Sequence, residues 1–191
     1  MKVLAINCSP HVHGNTRLLL DEVLKTIENE GIKTEVFQLG GEKVNGCIAC
    51  KKCQKEKDGK CHQKNKAIND CIEEMVKADA IIIGSPTYYA DLSTEAKALI
   101  DVSGFALSSI GNPLRHKPGA AVVAARRGGA VHTFDSINHY FLINEMIIPG
   151  SSYWNIGIGG NKGEVLNDEE GLETMRTLGK NMAWLLKKIN P

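Results

Sequence analysis

Four stretches of the chain are apolar without interruption: Val3 to Ile6, Ala80 to Ile83, Ala120 to Ala125 and Met146 to Ile148. Short runs without alternating polar positions predict strands buried on both faces, as in a parallel sheet, rather than strands with one wet face. Between them the period lengthens. Leu19, Leu20, Val23, Leu24 and Ile27 predict a first helix. Gly31 stops it, and Lys33 to Gln38 reads as a further strand. Cys71, Ile72, Met75 and Val76 mark a second helix, and Ser93 caps a third through Ala96, Leu99 and Ile100 towards Leu107. A fourth covers roughly Val131 to Asn144. Asp168 opens the last, with Leu172, Met175, Leu178, Met182, Leu185 and Ile189 on one stripe. Buried strands alternating with amphipathic helices predict an α/β fold, a doubly wound, parallel five-stranded sheet with helices on both faces. At 191 residues the chain fits a single domain, residues 1–191.

In such sheets ligands lie beyond the carboxyl ends of the strands, where the strand order reverses. Three strands end in turns rich in glycine, hydroxyls or proline: Ser9 to Thr16, Ser85 to Ala90 and Arg126 to Ala130. The first runs from a buried strand through Ser9, Pro10, Gly14, Asn15 and Thr16 into a helix, gathering free N–H groups and the positive dipole end that favour a phosphate. It lacks both the Gly-Lys-Ser/Thr of a Walker loop and the G-x-G-x-x-G of a dinucleotide turn. The pattern suits one terminal phosphate without magnesium; an ordinary β–α turn with Thr16 as a helix cap is the alternative.

A net charge of +1 gives no overall field to draw nucleic acid or a membrane surface. Without a signal-peptide pattern or an apolar run of about eighteen residues, the expected compartment is the cytosol. There six cysteines point to metal, catalysis or burial before disulfides.

Four of them sit in a stretch, about 43–66, with no sustained apolar period, a loop long enough to be functional. Cys47, Cys50 and Cys53 recur every third residue and Cys61 follows, so the thiolates of one loop can converge on a [4Fe–4S] cluster. A structural zinc on the same cysteines, or using His62, is the competing reading, and free thiols the plain one. Lysines 51, 52, 55, 57, 60, 64 and 66 surround them, a solvated face or a collar that steers a redox partner. Cys8 and Cys71 lie on apolar elements and read as core.

Ser9-Pro10 with Gly14-Asn15-Thr16, Cys47-Ile-Ala-Cys50-Lys-Lys-Cys53 with Cys61, Gly84-Ser-Pro-Thr-Tyr88 and Arg127-Gly128-Gly129, in that order, resemble the iron–sulfur flavoproteins, flavodoxin-like FMN-binding proteins related to NAD(P)H-dependent FMN reductases. The resemblance implies that Ser9, His11, Asn15 and Thr16 hold the FMN phosphate, that Pro86, Thr87, Tyr88 and Tyr89 border the isoalloxazine, and that Arg127, Gly128 and Gly129 approach its pyrimidine edge. The sequence departs from the family's usual pattern at Cys8 and His11, where glycine and a basic residue are common. It further implies an FMN-dependent oxidoreductase that couples a one-electron carrier such as a ferredoxin, or NAD(P)H, to a small-molecule electron acceptor. No side chain is then required as a catalytic acid or base. A homodimer or homotetramer would complete the flavin edge. An NAD(P)H-dependent FMN, quinone or nitro-compound reductase without a cluster, and a non-catalytic electron carrier, are the other two classes.

Overall fold

The computed structural model describes residues 1–190. Its sheet has five parallel strands in the order β2-β1-β3-β4-β5, with β1 Lys2–Asn7, β2 Lys33–Gln38, β3 Ala80–Pro86, β4 Gly119–Ala125 and β5 Ile156–Ile158. The helices are α1 Asn15–Asn29, the short α2 Lys52–Glu56, α3 Lys66–Lys77, α4 Thr94–Ser108, α5 Ala130–Ile143 and α6 Glu169–Ile189. None is long and apolar enough to cross a membrane.

The unbroken apolar runs are buried on both faces because successive side chains of one strand serve opposite layers. Leu4, Ile6, Ile81, Ile83, Ala121 and Val123 pack under α3, α4 and α5. Val3, Ala5, Ile82, Ala120 and Val122 pack under α1 and α6. Gly84 lets α1 settle closely: a Cβ there would lie 2.7 Å from Leu20 Cδ1. The order reverses between β1 and β3, which pair directly and carry crossovers to opposite sides of the sheet.

Two expectations need correction. The run Met146 to Ile148 is not the last inner strand. It makes one parallel bridge, Ile147 to Pro118, before Pro149 and Gly150 carry the chain away, and the fifth strand is Ile156–Ile158 against Val123 to Ala125. Met146 is apolar because it is buried against the α5 layer. On α6 the stripe also ends early: Leu178, Met182 and Leu186 are buried, whereas Leu185 is half-buried and Ile189 exposed.

Ser93 caps α4 by accepting from the Ala96 N–H, and Asp168 caps α6 by accepting from the Gly171 N–H. The first helix is not capped by Thr16. Gly14 holds the capping position and offers no side chain, so the exposed donors of this helix remain open.

Candidate flavin site and cysteine pocket

The turn after β1 is fixed by two amides. Asn7 is fully buried; its Oδ1 accepts from the Ser9 N–H at 3.1 Å and its Nδ2 donates to Gln38 Oε1 at 2.7 Å. Gln38 Nε2 in turn donates to the carbonyls of Ser9 and Gly40 at 2.8 and 2.7 Å. Ser9 Oγ accepts from the His11 N–H. Strand β2 therefore clamps the turn from the side. The clamp leaves no room at Gly40, where a Cβ would stand 2.1 Å from the carbonyl of Ser9.

At the start of α1 the first main-chain N–H with a partner is that of Leu18, donated to the Gly14 carbonyl. The N–H groups of Asn15, Thr16 and Arg17 are left facing the turn, the arrangement that binds an anion. Thr16 is buried beneath them, and His11 stands exposed at the rim. The side chain of Asn15 is engaged elsewhere. Its Nδ2 donates to the carbonyls of Gly159 and Asn161, and its Oδ1 accepts from the Gly163 N–H at 2.8 Å. What Asn15 offers a phosphate is its main-chain N–H, while its amide braces the loop that follows β5.

That loop escaped the sequence reading, although Gly157, Gly159 and Gly160 cluster there. Glu164 holds it from the other side: Oε2 accepts from the Gly160 and Asn161 N–H groups at 2.8 and 2.7 Å. These bonds, with the Asn161 N–H foremost, keep the Glu164 carboxyl below its ordinary pKa.

The remaining loops at this edge are stitched together. Ser93 Oγ donates to the Cys8 carbonyl at 2.8 Å, joining the loop after β3 to the turn after β1. Pro86 ends β3, and the Thr87 N–H donates to the Ala124 carbonyl while the Thr87 and Thr133 hydroxyls pair at 3.0 Å. A Cβ at Gly129 would touch Thr87 Cγ2, so the glycine turn of Arg127, Gly128 and Gly129 lies against the same loop. Tyr88 and Asp91 close a tight turn through paired main-chain bonds. At its tip Tyr89 takes a φ of +56° and is fully exposed, an uncommon conformation for a bulky residue. Asp91 secures the turn by accepting from Ser136 Oγ at 2.9 Å. The residues expected around a flavin thus share one edge, with unpaired N–H donors at one end and two tyrosines and a glycine turn at the other. These groups fit FMN.

The four loop cysteines also come together. Cys47, Cys50, Cys53 and Cys61 line one cavity of about 40 Å³, walled by Val102 and Phe105 of α4. The chain winds tightly to bring this about, with Ala49, Lys51 and Lys57 all at positive φ. The Cys53 thiol is pushed up first by burial and then by the neighbouring Cys47, Cys61 and Cys50. Asparagines hold the loop. Asn65 exchanges two bonds with the main chain of Asn45, and Asn69 accepts from the Cys61 N–H and donates to its carbonyl at 2.8 and 2.9 Å. No three His, Cys, Asp or Glu side chains among the described residues gather as ligands of one metal ion. His62 turns instead to Asp58, whose carboxyl it holds below the usual range. The donor set is four sulfurs around one cavity, which suits an iron–sulfur cluster. Cys8 and Cys71 are buried, and burial pushes both thiols up, as core thiols.

Comparison with known proteins identifies the family and the fold. Residues 1–161 match the family model described as NADPH-dependent FMN reductase. An iron-sulfur flavoprotein of Methanocaldococcus jannaschii is 41% identical over 99% of both chains, and a second from the same organism is 31% identical over 92% of each. Among solved structures, a flavodoxin from the domain Archaea superposes with a TM-score of 0.64 at 17% identity over 98% of this chain and 99% of its own. A WrbA-like flavodoxin of Agrobacterium tumefaciens gives 0.67, also at 17%, over 98% of both. The fold is flavodoxin-like, and the chain belongs to the NADPH-dependent FMN reductase family, in its iron–sulfur flavoprotein branch.

Proposed function

We propose that this FMN-dependent oxidoreductase carries one [4Fe–4S] cluster on Cys47, Cys50, Cys53 and Cys61 and passes electrons between that cluster and FMN. The observation that carries the reading is the cavity lined by the four cysteines and backed by α4, the helix whose cap, Ser93, is bonded into the flavin edge. FMN would supply two-electron chemistry that can be divided into single steps, the form a cluster exchanges. The N–H groups of Asn15, Thr16 and Arg17 would bind the phosphate with Ser9 and His11 at its rim. Pro86, Thr87, Tyr88 and Tyr89 would border the ring, and Arg127, Gly128 and Gly129 its pyrimidine edge.

The electron donor would be a reduced carrier of the ferredoxin kind or NAD(P)H, and the acceptor a small molecule. Of the lysines around the cysteines, only Lys66 is ion-paired among the described residues, with Asp70, so the collar is free to meet an acidic carrier. A homodimer or homotetramer would cover Tyr89, Phe105 and Ile143, all exposed on one subunit.

Anaerobic purification should yield FMN together with about four irons and four sulfides per chain. Protein with bound FMN and one zinc, or with neither iron nor sulfide, overturns the cluster. The reductase without a cluster is favoured by the wording of the family match alone. It predicts unchanged NAD(P)H turnover in Cys53→Ala, where the proposed reading predicts that electron entry from a reduced carrier is lost.

A further inference from the structure

The amide of Asn65 is aimed at a sulfur. Asn65 precedes α3 and is 1% exposed. Its Oδ1 accepts from the Asn45 N–H at 2.7 Å and one Nδ2 proton goes to the Asn45 carbonyl at 2.8 Å. These two bonds fix the orientation of the amide, because a flipped side chain would set oxygen against carbonyl oxygen and N–H against N–H. The second Nδ2 proton then points to Cys61 Sγ, 3.7 Å away. The other sulfur contact is of another kind: Cys47 Sγ accepts from the main-chain N–H of Ala49 at 3.4 Å.

Resting on the cluster reading above, we infer that Asn65 is a positioning residue that donates an N–H···S hydrogen bond to the Cys61 ligand and thereby raises the reduction potential of the cluster. A donor to a ligand sulfur stabilises the form carrying more negative charge, which is the reduced one, and such bonds are among the protein's means of setting cluster potentials. Burial strengthens the effect, since water does not compete for the proton. Asn69, one helical turn on, has a different task. It grips the main chain of Cys61 at both N–H and C=O and touches no sulfur, so it fixes where the ligand stands without tuning it.

The test is EPR-monitored titration of anaerobically prepared protein, with iron and sulfide measured on every sample. In Asn65→Ser the amide is gone and no new charge is introduced. Its reduction equilibrium should fall about tenfold, a drop of roughly 59 mV for a one-electron couple. Asn69→Ala should lose iron more readily while the cluster that remains keeps its potential. An unchanged potential in Asn65→Ser with full iron overturns this role and leaves the cluster reading standing. Absence of sulfide from the unaltered protein overturns the cluster reading itself, and the role with it. Should Asn65→Ser drop its cluster, the unaltered protein labelled with ¹⁵N only in asparagine decides the matter. A ¹⁵N coupling to the reduced cluster in unaltered protein that persists in the cluster retained by Asn69→Ala supports the bond; no coupling in unaltered protein, or one lost in Asn69→Ala, overturns it.

Discussion

The two candidate cofactor sites are held by unlike means. The flavin edge is an outgrowth of the sheet: Asn7, Gly84 and Pro86 are buried strand residues, and the loops they lead into are joined to one another by bonds from Ser93, Thr87 and Asn15. The cysteine pocket has almost no apolar interior of its own. Its short helix α2 contains no buried residue, and the loop is kept in shape by Asn45, Asn65 and Asn69 and by leaning on Val102 and Phe105. A site carried by a sheet exists before its ligand arrives. A loop held by a few amides gains much of its order from the group its thiolates bind.

The largest effect that would sharpen this contrast comes from Gly40, which packs directly against the Ser9 carbonyl. In Gly40→Val the added atoms overlap the Ser9 carbonyl, and the protein should fail to retain FMN or accumulate little soluble chain. Soluble, flavin-loaded Gly40→Val protein would mean that the turn is less rigid than its clamp implies. Next comes the core beneath the flavin edge. Ile82→Ala should cost about 2–5 kcal/mol in denaturant unfolding, because Ile82 is wholly buried under α1 and α6.

Asn15→Ala should release the loop after β5 and weaken FMN binding by about 1–3 kcal/mol, measured by flavin fluorescence, with iron content unaltered. Cys53→Ala should do the reverse: iron is lost, protease cuts appear within 43–65, and unfolding shifts by about 1 kcal/mol or less. If Cys53→Ala also releases most of the FMN, the two regions are not separately held and the comparison breaks.

The smallest effect concerns pH. The folded pKa of Glu164 lies below its ordinary 4.5, so its bonds to the Gly160 and Asn161 N–H groups stabilise the loop above that value and are lost as pH falls through the lowered pKa. FMN affinity should drop in that acid range, and Glu164→Gln should remove this part of the pH dependence.

The contrast also explains what the sequence made legible. β1, β3 and β4 could be read because burial on both faces demands unbroken apolar runs, and Ser93 and Asp168 because caps act over three residues. β5 could not: it is a three-residue edge strand containing Gly157, while the more apolar run at Met146 makes a single bridge. The cysteine pocket was legible because its four cysteines lie close together in the chain. The brace from Asn15 was not, since its partners are about 150 positions away and are reached by main-chain atoms that leave no mark on residue type.

The clamp of Gln38 on Ser9 and Gly40 has a consequence for the order in which the molecule is made. It fixes the start of the cysteine loop as soon as β1 and β2 pair, and Asn65 fixes its end when it closes on Asn45 at the threshold of α3. Both ends are therefore held by the folded domain while the segment between them can still open, and closing a loop whose ends are already fixed costs little further chain entropy. On the proposed cluster reading, the recipient of an assembled cluster would then be the finished, flavin-ready domain rather than the nascent chain, and reloading it would require no refolding.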